Sequence, residues 1–263
     1  SNIMTTHPLH KKSLFDSAFL TLIFVACSSN LQSKNELQPT ALMKHETKWL
    51  VEALEKAHYS KVSIKNLDRD GFIDHYLQKL DNQKLYFINS EVEGFKKSYE
   101  PTLVTYFEQG NLFPGFEIYN SYKTNSLKRI KWAIEFLTEY PKLDSNRTYA
   151  PDRTELDWAS SVEELDETWK NLITFEFLNE TLAKLDTNET LDDISDSNLT
   201  AAKQESQKVL LKRYSRWQKN LEEFEAGDVQ ELYLTALTQM FDPHTTFMNL
   251  KEKEKFDQQM NNE

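Results

Sequence analysis

From Thr40 onward the apolar residues return every three or four positions, the spacing of one face of an α-helix. Leu42, Trp49, Val51, Leu54 and His58 outline a first helix. Leu67-Asp68-Arg69-Asp70 opens a second, which carries Phe72, Ile73, Tyr76, Leu77 and Leu80. Ser90-Glu91-Val92-Glu93 has the form of a capping box, in which the Ser side chain accepts a backbone N–H and the Glu reaches back to the Ser N–H. It predicts a helix through Phe95, Tyr99, Leu103 and Phe107, stopped by Gly110. A long helix follows from about Phe113 to Tyr140, ended by Pro141. Near its end the apolar residues cover more than one face, so that part is enclosed. Ser161-Val162-Glu163-Glu164 is a second box, opening a helix with Trp169, Leu172, Ile173, Leu178, Leu182 and Leu185. A helix from Leu199 to Phe224 and one capped by Asp228, with Leu232, Leu234, Leu237 and Met240, come next, and a helical stretch from Asn249 to Phe256 closes the series.

Three stretches break this period. Lys84-Leu85-Tyr86-Phe87-Ile88 is short and apolar and reads equally as a strand or as a buried extended connector. Residues 141–160 hold two prolines and form a long connection, and loops of that length are usually functional or mobile. Residues 187–200 are acidic and polar, a further loop. The pattern as a whole specifies an all-α, multi-helix domain with a long irregular loop near 141–160.

Composition supports that class. Only 5 Gly and 7 Pro occur in 263 residues, too few for the turns of a β-sandwich or barrel. Apolar residues at 39% and aromatics at 12% supply a sizeable core. The formal net charge of −11 argues against a nucleic-acid partner, which would need clustered Lys and Arg, and fits a solvated acidic surface.

The first residues carry a different signal. Ser1-Asn2-Ile3 ahead of Met4 reads as an expression scar. Lys11 and Lys12 form a basic region before the apolar run from Ser17 to Ala26, which has signal-peptide length and is too short to span a bilayer. Phe24-Val25-Ala26-Cys27 then resembles a bacterial lipobox, making Cys27 a lipidation candidate. Phe24 departs from the usual aliphatic residue and Asp16 is an odd charge there, so plain cleavage after Ser28 stays open. Cys27 is the only cysteine, which rules out an intrachain disulfide. Residues 28–39 are polar and aperiodic, a flexible tether. The division is therefore 1–27 scar plus signal peptide and lipobox, 28–39 tether, and 40–263 helical domain.

Candidate chemistry within the helical part is sparse. Glu55 and His58 have the spacing of two metal ligands on one helix, but a di-iron bundle needs a second such pair, which the sequence lacks. Asp68-Arg69-Asp70-Gly71 has the look of a calcium loop, yet Phe72 and Ile73 follow and no Glu stands at the twelfth position, so a helix N-cap is the better reading. No G-x-S-x-G elbow is present. Trp158, in the long loop, belongs either to the core or to a binding surface. The expectation is no catalytic, cofactor-binding or metal-binding residue.

Several segments, in order, resemble the N-terminal helical region of the carboxyl-terminal processing, or tail-specific, proteases. They are Tyr76-Leu77-Gln78-Lys79-Leu80-Asp81, Lys84-Leu85-Tyr86-Phe87-Ile88-Asn89-Ser90-Glu91, Trp169 through Phe175-Glu176, and Lys212-Arg213-Tyr214, which falls where the family has a basic-basic-aromatic turn. Asp242-Pro243-His244-Thr245-Thr246-Phe247 is similar to the family's junction leading into a PDZ domain. The resemblance implies a serine protease with a Lys base, both residues lying beyond Glu263, so that this chain holds no catalytic group. Asp242, Pro243, His244, Thr245 and Phe247 would then fix the angle between the helical region and the next domain. The implied setting is the periplasm, with membrane attachment only through Cys27, and with protein partners: adaptors, or substrates with apolar C-termini. A free-standing lipoprotein that kept only the helical region, acting as a binding module, is the alternative.

Overall fold

The computed structural model describes residues 36–56, 63–142, 147–185 and 195–260. Residues 38–263 form one compact unit, separate from 1–37. Cys27, the apolar run before it and most of the tether lie outside the described residues, as do His58 and residues 143–146.

Nine α-helices appear among the described residues: α1 Ala41–Lys56, α2 Arg69–Asp81, α3 Asn89–Tyr99, α4 Leu103–Glu108, α5 Phe113–Thr138, α6 Val162–Lys184, α7 Asp196–Glu223, α8 Ala226–Gln239 and α9 Leu250–Met260. No strand occurs among those residues; the one β-like contact is an isolated parallel bridge between Ile88 and Ala159. The all-α expectation is met.

Helix ends show where local sequence rules held and where they slipped. Asp68 caps α2, its Oδ1 accepting from the Gly71 N–H at 3.0 Å, so the calcium-like tetrad is an N-cap. Ser161 caps α6 by accepting from Glu164 N–H at 3.2 Å, while the Glu164 carboxylate reaches one residue further back than a standard box, to Ser160. Ser90 is not a cap: α3 starts at Asn89, and Glu91 reaches back to the Ile88 N–H at 2.9 Å. Asp228 likewise sits inside α8, its carboxylate accepting from the Glu225 N–H at 2.7 Å. The helix expected from Ser90 to Phe107 is two helices, α3 and α4. Pro101 lies between them, and its ring, with no N–H, forbids a continuous ladder. Gly110 ends α4 with φ +68° and donates to the Phe107 carbonyl at 2.9 Å.

Helix α5, 26 residues and roughly 39 Å long, is shared by two packing centres. Its C-terminal half packs with α6 and α7 as a three-helix bundle. Ile130, Ala133 and Leu137 meet Trp169, Ile173 and Phe177 from α6, with Leu210 and Tyr214 from α7, all buried. Its N-terminal half faces α8 and α2, while α1 packs on α4 and α8. That second centre is aromatic. The Tyr233 ring of α8 lies 5.3 Å from Phe72, 4.9 Å from Tyr76 and 5.2 Å from Phe107. Edge-to-face and offset contacts of this kind add to the burial of large rings. Gly115 permits the close approach of α5, since a Cβ there would stand 2.5 Å from Tyr233 Cγ.

An ion cluster fastens α3 to α2. Lys96 Nζ lies 2.9 Å from Asp70 Oδ1 and 2.8 Å from Asp74 Oδ1. The Lys96 hydrogen bond holds the Asp70 carboxyl below its ordinary range. Burial pulls the Lys96 ammonium down, but the bonds and charges of Asp74 and Asp70 outweigh it and raise its pKa.

Gly115→Ala is expected to destabilise the fold by about 1–3 kcal/mol through overpacking on Tyr233, read as a lower urea midpoint at unchanged slope. The ion cluster gives a pH signature. Asp70 is depressed in the fold, so its contribution is present at neutral pH and lost as pH falls through its lowered pKa. Lys96 is raised, so its contribution holds below the ordinary lysine value and fades above it. The stability gap between the wild type and Lys96→Met should therefore close on acidification below pH 4 and persist at pH 7.

Candidate functional site

Residues 82–88 carry most of the motif-bearing chemistry. The chain leaves α2 without entering a helix or sheet, so its backbone groups need other partners. The Asp81 side chain, 2% exposed, supplies three: its carboxylate accepts from the N–H of Leu85 at 2.7 Å, Tyr86 at 2.8 Å and Phe87 at 3.0 Å. Burial raises the Asp81 carboxyl above its usual value, against the three donors, which favour the charged form. The carbonyls are met from elsewhere. Trp169 Nε1 donates to the Leu85 carbonyl at 2.6 Å, and Asn125 Nδ2 to that of Tyr86 at 3.2 Å. The segment ends where the Asn89 N–H donates to the Ala159 carbonyl at 2.8 Å. It is a buried extended connector rather than a strand.

The same connector pins the long loop. Lys84, at φ 53°, sends its ammonium to the carbonyls of Thr154, at 2.9 Å, and Leu156. Arg153 returns the contact, its N–H donating to Gln83 Oε1 at 2.8 Å and its Nε to the Gln83 carbonyl at 3.1 Å. Trp158 is half-buried against Phe87, with ring centroids 6.3 Å apart, and lies under the Lys84 ammonium. The described part of the loop is thus held to the body, and Trp158 helps hold it.

Beneath the connector, Tyr214 donates to Glu176 at 2.8 Å, and burial raises the Glu176 carboxyl more than that bond lowers it. Tyr214 and its neighbours Lys212 and Arg213 lie inside α7, within the helix expected from Leu199 to Phe224. Glu55 is also occupied. It accepts from Ser63 Oγ at 2.9 Å and the Ile64 N–H at 2.7 Å, fastening the 3-10 turn Ile64–Asn66 to α1.

After α8 the chain turns and runs back along that helix. The Asp242 carboxylate accepts from the His244 N–H at 3.0 Å, and that bond, with one from the Thr245 side chain, holds it below the ordinary range. Pro243 and His244 are exposed at the turn, and Phe247 is half-buried. The returning segment pairs with side chains instead of backbone. Thr238 Oγ1 donates to the Thr245 carbonyl at 3.4 Å, Thr235 Oγ1 accepts from the Phe247 N–H at 3.0 Å, and Glu231 Oε1 accepts from the Asn249 N–H at 3.2 Å. Thr238, Thr235 and Glu231 are three and four apart, on one face of α8. Asn249, buried, then accepts from the Glu252 N–H at 3.0 Å and starts α9. The five junction residues Asp242, Pro243, His244, Thr245 and Phe247 therefore fall on a segment clamped to one helix face. Glu231 and Thr235, which do the clamping, gave no motif signal; only their spacing on α8 opposite a polar turn hinted at it.

The profile described as "Tail specific protease N-terminal domain" matches residues 50–251. The chain belongs to this family. It is also 23% identical, over 215 residues, to the "Tail-specific protease" of Haemophilus influenzae, covering 82% of this chain and 29% of that protein. This family domain thus spans less than a third of the length of that relative. The matched range contains the whole connector and the turn after α8, and it ends at Lys251, as α9 begins.

Asp81→Ala should cost about 3 kcal/mol or more, because three buried N–H groups lose their acceptor, with Asp81→Asn costing less; guanidinium unfolding reads both. Thr235→Val combined with Glu231→Met should leave global stability within about 1 kcal/mol yet speed amide hydrogen exchange at Phe247 and Asn249 at least tenfold, as their protection is local.

Proposed function

We propose that this chain is the non-catalytic helical front end of a periplasmic tail-specific serine endopeptidase. In this reading the helical domain supports substrate access to a protease core encoded further along and docks adaptor proteins. The observation that carries it is the match of residues 50–251 to the family's N-terminal domain, over a chain that spans 29% of a whole tail-specific protease. The side-chain chemistry favours it too. Asp81, Trp169, Glu55 and Thr235 are engaged by backbone groups, a scaffold's use of polar residues and not a reaction centre's. In this reading the clamp between α8 and residues 245–249 would set the direction in which a further domain leaves, the junction role proposed for Asp242, Pro243, His244, Thr245 and Phe247. A PDZ domain there would take apolar C-termini of substrates as an added strand.

An antibody raised to this domain, used on extracts of the source cells, tests the reading. The expected product is far larger than 30.9 kDa, and the immunoprecipitate cleaves a peptide with an apolar C-terminus. A product at or just below that mass with no peptidase activity would sink it and leave a free-standing binding module.

A further inference from the structure

We draw no further inference here: the strongest candidate, the apolar cleft of about 480 Å³ between α5 and the first turn of α6 that Ile88, Trp132 and Leu165 line, carries nothing, since the charges on its rim cancel, Lys128 and Arg129 against Glu91 and Asp166, and nothing in the structure shows what covers it.

Discussion

One buried carboxylate organises the centre of this domain. Asp81 ends α2 and takes three consecutive N–H groups from the segment that follows. A chain that leaves a helix and dives into a core without joining a sheet would otherwise strand those donors, at a penalty of roughly 1–3 kcal/mol each. With the donors satisfied, Leu85, Tyr86 and Phe87 can all be buried, at 8%, 5% and 0% exposure: Leu85 and Tyr86 enter the core between α5, α6 and α7, while Phe87 packs on Phe95, Tyr122 and Trp158. The Tyr86 ring touches Tyr122, Trp169 and Trp217, one from each helix of the bundle. The bundle is thus assembled around a non-helical peg, and the peg is set by Asp81.

The two packing centres depend on one another through α5. Its early turns pack closely on Tyr233 at Gly115, and the Tyr76 hydroxyl donates to the Gly115 carbonyl at 2.9 Å. Its late turns supply Ile130, Ala133 and Leu137 to the bundle. Since α2 brings both Tyr76 and Asp81, a shift of α2 would disturb the aromatic centre and the connector together. A domain wired in this way couples its two packing centres through one helix and one connector.

The segments that carry the family resemblance meet in space. Asp81 from the first and Trp169 from the third both satisfy the backbone of the apolar run 85–88 from the second. Tyr214 from the fourth bonds to Glu176 of the third just below. Their separation in sequence, with Trp169 84 residues from its partner Leu85, hides that convergence. The last segment lies apart on α8 and uses the same physical device, side chains standing in for a missing backbone ladder.

Periodicity alone determined that the domain is helical and placed most helices within a few residues, because one buried face per helix imposes the three-to-four spacing. It also marked residues 84–88 as apolar and 141–160 as irregular. It did not reveal the break at Pro101, since the apolar period of α3 and α4 runs across it. Nor could it say that Trp49 and Leu42 face solvent while Thr47 is buried: amphipathic spacing names candidate faces, and only neighbouring helices decide which one is covered. The connector, the anchored loop and the clamp along α8 were decided wholly by tertiary structure. Their backbone groups are satisfied by side chains up to 84 residues away, and hydrogen bonds of that reach leave no period in the sequence.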